Sequence, residues 1–242
     1  MTVTFLGTGT STGIPFIGSN HPVCLSNDSR DKRLRSSIRI DIEKKTFIID
    51  CGPDFRQQMI NSNCKKIDAI FFTHEHSDHT AGLDDIRPFC FRDGEIPIYA
   101  HQRVINNLST RFSYIFKQDN KYPGSPSIKT NLIEPDKPIV FSGIQVIPID
   151  YLHAKLQVYG YRINDFAYLT DLKTINKITK KIESQNSENS LTKLIRDAEK
   201  YLSKHLVDVN VLYDSSDFNL IDLSIKKSFP AKKIHLEVLP CH

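Results

Sequence analysis

Apolar and polar positions alternate along several early stretches of the chain. The run "TVTFLG" (2–7) is β-rich and closes at Gly7 and Gly9. "SIRIDIEKKTFIIDCG" (37–52) alternates, turns at 43–45 and resumes as "TFIID", the pattern of a β-hairpin. "FRQQMINSN" (55–63) suits a short helix, and "KIDAIFFTH" (66–74) is a continuous apolar run, as expected of a buried strand. "GLDDIRPF" begins a helix that Pro88 interrupts or kinks. "IPIYAH" (96–101) predicts a strand and residues 102–116 a helix.

Residues 117–131, with Pro, Gly and no periodicity, predict a loop, placed so that it can cover a site. Residues 138–153 read as two strands around Ser142 and Gly143, and 158–171 as a hairpin turning at Asn164 and Asp165. A polar loop follows at 183–190, then a helix over 192–205 with Leu194, Ile195, Ala198, Tyr201 and Leu202 on one face. Strands at 207–214 and 232–240 flank a short helix near 220–228. Two sheets packed between helices accommodate this order. No composition shift and no internal repeat divides the chain, so residues 1–242 are read as one domain.

Composition narrows the function classes. With 39% hydrophobic and 25% charged residues, the chain resembles a water-soluble globular protein, neither disordered nor membrane-spanning. A formal charge of +4 permits an anionic substrate without the concentrated basic stripe of a dedicated nucleic-acid binder. The N-terminus lacks the basic and apolar regions of a signal peptide, and five scattered cysteines read as reduced thiols or metal ligands in a cytoplasmic protein. The oligomeric state is left open, a homodimer included.

The chemistry concentrates in "FFTHEHSDHTAGLDD" (71–85), where a strand runs straight into His74, His76, Asp78 and His79 at the spacing H-x-H-x-D-H. At a strand end the backbone leaves the sheet, and a tight loop can aim alternate side chains at one point. Imidazole and carboxylate together suit zinc, manganese or iron. On this spacing His74 and His76 can grip one ion while Asp78 and His79 face a second. His153 and Asp171 each sit just past a predicted strand, where α/β-type sites gather their ligands. The loop "GTGTSTG" is one residue off the dinucleotide fingerprint, and Pro15 argues against a helix beneath a phosphate; it reads as a tight turn beside the metal site. The basic stretch "RDKRLRSS" is either an anion attractor or a solvated loop.

Taken together, "FLGTGTSTGIP", "IIDCGPDFRQQM", "FTHEHSDHTAGLDDIRPF", "YPGSPSI" and "AYLTD" resemble the metallo-β-lactamase superfamily, over roughly residues 2–175. The similarity is strongest to its phosphodiesterase branch, which includes phosphoribosyl cyclic phosphate phosphodiesterase and, more distantly, the tRNA 3′-processing endonucleases. The resemblance implies an α/β fold, a four-layer αββα sandwich with the site where the two sheets meet. It implies that His74, His76 and His153 hold one metal, that Asp78 and His79 hold the other, and that Asp171 bridges both. Asp50 matches an acid that orients a ligand histidine, though an ordinary turn residue is the competing reading. Asp78 would also position or relay a proton. Arg87 either binds phosphate or pairs with Asp84 or Asp85.

The chain departs from the family in three places. The structural zinc knuckle is reduced to Ser19, His21 and Cys24, with Cys241 or His242 as further donors, short of the four N/S ligands such a site uses. A substrate-binding histidine is replaced by Asp217, a poor proton donor at neutral pH unless its pKa is raised. The seventh metal ligand has no direct counterpart; His242 is the nearest substitute, with His235 weaker because it lies inside a strand. The expectation is therefore a hydrolase with two divalent ions, zinc or manganese; at the reduced knuckle a structural zinc and an ordinary loop with a spare thiol are the two readings. Its substrate would be a small or cyclic phosphodiester. An RNA-processing nuclease of the same superfamily and a catalytically weak metal-binding paralogue are the alternatives. Nucleic acid is not the favoured partner, and no membrane partner is expected.

Overall fold

The computed structural model describes residues 1–172 except 118, 120, 121, 136 and 165, and the backbone of two strands, 174–175 and 235–238. A seven-stranded sheet comes first. Its strands are β1 (Thr2–Gly7), β2 (Ser37–Ile42), β3 (Lys45–Ile49), β4 (Ala69–Phe71), β5 (Ile96–Ala100) and β6 (Ile128–Leu132), with β12 (His235–Val238) parallel to β1 at the edge. The second sheet holds β8 (Ile144–His153), β9 (Leu156–Ile163), β10 (Phe166–Tyr168) and β11 (Thr174–Ile175), and β7 (Ile139–Phe141) pairs with β8.

Local chemistry explains the hairpins. Glu43 and Lys44 both adopt positive φ between β2 and β3, as do Ser142 and Gly143 between β7 and β8; such two-residue turns match the twist of the strands they join. From β3 to β6 the strands are parallel; β4 at the centre is fully buried, whereas β6 is an edge strand with exposed residues. Strand alternation then divides the core. Ile48 and Ile70 join Phe55, Leu83, Val104 and Leu108 beneath the helices. Phe47, Ile49 and Phe71 turn the other way, toward Ile144, Val146, Tyr159 and Tyr161 of the second sheet. Phe71 is the hinge pin: it stacks on Tyr99 at 4.8 Å and tilts against Tyr161 at 5.2 Å. Phe71 and Tyr161 are fully buried, each worth about 1.5–3 kcal/mol, well above an exposed ion pair, so apolar burial sets how the sheets face each other.

The helices are α1 (Pro22–Leu25), which buries no residue, and α2 (Phe55–Asn61), α3 (Ser77–Thr80), α4 (Arg87–Asp93), α5 (Gln102–Arg111) and α6 (Ser113–Phe116); α2, α4, α5 and α6 pack on the first sheet. Helix, sheet and sheet are thus three of the four layers expected. The helix predicted at 192–205, the short helix near 220–228 and the strand at 207–214 lie outside the described residues.

Several expectations need correction. Pro88 does not interrupt a helix; residues Leu83–Ile86 form a 3₁₀ turn, and Pro88 sits in the first turn of α4, where its missing N–H costs nothing. The helix predicted over 102–116 breaks at Phe112, whose φ of −118° and ψ of 42° separate α5 from α6. The strand expected over 66–74 is paired only over Ala69–Phe71, because the backbone leaves the sheet to build the histidine loop. The loop expected over 117–131 ends as strand β6 on the sheet edge. Among the described residues no helix is long and apolar enough to cross a membrane.

Candidate metal centre

The histidine loop leaves β4 and is anchored from beneath. Asp50, at the end of β3, is fully buried with φ of 66°, a left-handed conformation that Asp tolerates better than most residues. From there its carboxylate accepts three hydrogen bonds. Thr73 N donates to Oδ1 at 2.8 Å, Thr73 Oγ1 to Oδ2 at 2.9 Å, and His79 Nδ1 to Oδ2 at 2.6 Å. The arrangement fixes tautomers. Because the Thr73 hydroxyl proton goes to Asp50, Thr73 Oγ1 accepts from His74 Nδ1 at 2.9 Å. His74 therefore turns an Nε2 lone pair outward, toward His76 Nδ1 at 2.9 Å.

The acidic groups complete the cluster. His79 Nε2 lies 3.2 Å from Asp78 Oδ2 and 3.0 Å from Asp171 Oδ2. The same Asp171 oxygen is 3.5 Å from His74 Nε2, so it stands between the two buried histidines. His153, at the end of β8, places its ring 5.8 Å from His76 and 6.2 Å from His74. Among the described residues, His74, His79 and Asp171 form the one group of three or more His, Cys, Asp or Glu side chains whose ligand atoms all lie within 4.8 Å of one another.

Electrostatics follow from this packing. Burial and the neighbouring His79 pull the His74 pKa down to about 4, so its imidazole is neutral. Burial also opposes charge on His79, but the Asp50 charge and the hydrogen bonds to Asp171, Asp50 and Asp78 outweigh it and raise its pKa to about 12. Burial likewise opposes ionisation of Asp78, yet its bond to His79 takes it down to about 2; Asp171 is lowered by the same partner. The neutral His74 Nε2 and the ionised carboxylates can serve a divalent cation as ligands, and the proton that His79 holds among acids is what such a cation would replace. His74, His79 and Asp171 fit such an ion, with the Asp171 carboxylate between the two imidazoles.

Two backbone devices hold the ligands. A Cβ on Gly52 would strike the carbonyl oxygen of Asp78, and one on Gly82 the carbonyl oxygen of Gly52, so these glycines let α3 lie against the turn after β3. On the opposite sheet, the Tyr151 hydroxyl donates to Thr170 O at 2.5 Å and accepts from Thr170 N at 3.0 Å. That pins the residue before Asp171, which itself sits at φ of 55°.

Other expected participants fall elsewhere. Asp217 and His242, read as proton donor and last metal ligand, lie outside the described residues, and so does Cys241. His235 lies in β12, paired with Thr2. Arg87 forms an ion pair with Asp84, which also accepts from Tyr114 OH at 2.7 Å; the phosphate role gives way to the salt bridge. The basic stretch is largely committed. Arg35 bonds Asp54 at 2.9 Å and Ser11 O at 2.8 Å, and Arg30 pairs with Asp28. Its arginines pin the glycine loop to the turn after β3, where Gly7 and Gly9 pack against the backbone of residues 33–35. His21 caps α1 through Nδ1, and no third metal donor joins it and Cys24 among the described residues. Sequence reasoning missed Thr73, Tyr151 and the Glu75–Arg103 pair. Only Thr73, next to His74, stood where a local signal could have found it.

A family model for the beta-lactamase superfamily domain matches residues 45–188. The chain is 36% identical over 241 residues to an octanoyltransferase of Porphyromonas gingivalis, a match covering 98% of this chain and 48% of that protein. It is 27% identical to ribonuclease Z of a Nostoc species over 176 residues, which is 67% of this chain and 46% of the relative. The chain thus spans about half the length of these curated relatives. Among solved structures, a diphosphatase from the PhnP family superposes with a TM-score of 0.67 at 36% identity, covering 74% of this chain and 69% of that one. Zn(2+)-bound PqqB from Methylobacterium extorquens shares the fold, with a TM-score of 0.55 at 20% identity over 67% of this chain and 61% of that one.

Proposed function

The chain belongs to the metallo-β-lactamase superfamily, in its phosphodiesterase branch and with its αββα fold, and we propose that it is a metal-dependent hydrolase cleaving a small or cyclic phosphodiester. One observation carries the reading: Asp171 Oδ2 lies within 3.5 Å of both His74 Nε2 and His79 Nε2, each presented by a histidine whose Nδ1 is already engaged. Such an arrangement supports a carboxylate shared between two ions. His74, His76 and His153 would hold one, Asp78 and His79 the other, and Asp171 both. Zinc and manganese are the ions that best suit imidazole with carboxylate. When bound, two such ions lower the pKa of a shared water and neutralise charge on phosphoryl oxygens.

The chain's own residues supply the rest. Asp50 and Thr73 orient the two buried imidazoles. Asp78, half-buried and held as a carboxylate by its bond to His79, would position or relay a proton. Asp217 and His242 keep their proposed roles as proton donor and last ligand.

The test is hydrolysis of bis-(p-nitrophenyl) phosphate and cyclic nucleotides by purified protein supplied with Mn²⁺ or Zn²⁺. Turnover lost in His74→Ala supports the reading, and no turnover by the metal-loaded wild type counts against it. A second reading, RNA processing, is favoured by the identity to ribonuclease Z; cleavage of a precursor tRNA in preference to small diesters would select it. An octanoyl thioester belongs in the same panel, because the Porphyromonas relative is an octanoyltransferase. The weak-paralogue reading predicts one ion per chain by elemental analysis, against two for the enzyme.

A further inference from the structure

We propose that Arg103 is a positioning residue of the metal centre: its guanidinium couples the H-x-H segment to the strand pair that delivers His153. It thereby sets how far His153 stands from His74 and His76. The inference rests on reading these three histidines as ligands of one ion.

The connection is short at both ends. Arg103 lies in the first turn of α5, and its Nε donates to Glu75 Oε1 at 2.8 Å. Glu75 is the residue between the two histidines. Arg103 Nη2 donates to the carbonyl of Gln157 in β9 at 2.5 Å. In the β8–β9 register Gln157 lies opposite Leu152, and Leu156 opposite His153. One side chain therefore joins the residue between His74 and His76, in the loop that leaves the first sheet, to the strand that pairs with the His153 strand in the second.

The surrounding contacts give this link its leverage. Thr73 O accepts from Tyr159 N at 3.1 Å and Phe72 O from Tyr161 OH at 2.6 Å, which fixes the start of the loop against β9. Beyond Thr73 the loop needs other supports. Arg111, at the far end of α5, donates to Glu75 O at 3.2 Å and to Thr80 Oγ1 at 2.7 Å, and Thr80 Oγ1 in turn donates to His76 O at 2.8 Å. The two ends of α5 thus brace the ligand loop, and Arg103 alone of the two also grips the second sheet through Gln157.

An ion pair with side-chain exposures of 35% and 17% adds little to global stability, so its weight falls on geometry. A lysine cannot replace it. The guanidinium spans two acceptors through a rigid planar fork, whereas an ammonium is a single point on a flexible stem.

The experiment titrates metal-stripped full-length protein with Co²⁺ and follows its visible absorption bands. Arg103→Met is expected to bind the first Co²⁺ roughly ten- to hundredfold more weakly than wild type, with altered bands. Its metal-free thermal midpoint should move little. Arg103→Lys should not restore the affinity, and Glu75→Gln should weaken it in the same direction, which carries the test if Arg103→Met fails to fold. In a His153→Ala background, Arg103→Met should add no further loss. Wild-type affinity and bands in Arg103→Met would overturn the proposal while leaving the metal centre standing. So would a full additional loss in the His153→Ala background. A wild type that binds no Co²⁺ would remove the metal centre itself, and the proposal with it.

Discussion

Asp50 Oδ2 lies 2.6 Å from Nδ1 of His79, twenty-nine residues further along the chain, and the same carboxylate holds both the amide and the hydroxyl of Thr73. One buried acid therefore aims both deep imidazoles, His79 directly and His74 through Thr73. Asp50→Asn removes the charge while keeping the size. It is expected to weaken metal binding roughly ten- to hundredfold, read by competition against a chromogenic chelator. Unchanged affinity would show that His79 is oriented without Asp50.

The two histidines shift in opposite directions, and this shapes the stability of the metal-free protein. Between pH 4 and 6.5 the unfolded chain protonates His74 while the folded one does not, so stability rises with pH. Above 6.5 the folded chain keeps a proton on His79 that the unfolded chain has released, so stability falls as pH climbs toward 12. The maximum is expected near pH 6.5, with stability falling on either side. Urea midpoints across pH 4.5–9 in the presence of a chelator check it; a monotonic profile would refute it.

Metal loading must displace the His79 proton. Binding should therefore release protons at neutral pH, and the heat of Zn²⁺ binding should change with the ionisation enthalpy of the buffer. Buffer-independent heats would mean that His79 is neutral or stays unbound.

Tyr151 holds Thr170 through both of its backbone groups. Tyr151→Phe leaves a buried N–H and C=O without their partner, a cost of about 1–3 kcal/mol by chemical denaturation. Because Asp171 follows directly, the variant is also expected to retain fewer ions after dialysis than wild type. Full metal retention would detach Tyr151 from the site.

Gly52 tests the close approach of α3. Gly52→Ala drives a methyl group into the carbonyl of Asp78, and either the turn or α3 must move. A lowered thermal midpoint together with reduced metal content is expected; loss of neither would mean the turn has room to spare.

What could be read in advance was what the chain does locally. The alternation of "SIRIDI" and "TFIID" predicted β2 and β3, and the turn between them followed from two residues at positive φ. The H-x-H-x-D-H spacing marked the loop because four ligand-type residues in six positions need no long-range information. Helix breaks were harder. Phe112 ends α5 and α6 restarts beside it, a decision of packing that leaves no mark in periodicity.

The sequence by itself determined the donor types, their spacing in one loop and the strands that carry them, since these depend on residues a few positions apart. Only the tertiary structure decided that Asp50 reaches His79 and that Asp171 stands between His74 and His79. It alone placed Arg103 between the two ligand-bearing sheets. Those relationships join groups far apart in the chain, and they exist because burial of Phe71 against Tyr161 brings the sheets face to face and carries their strand ends together.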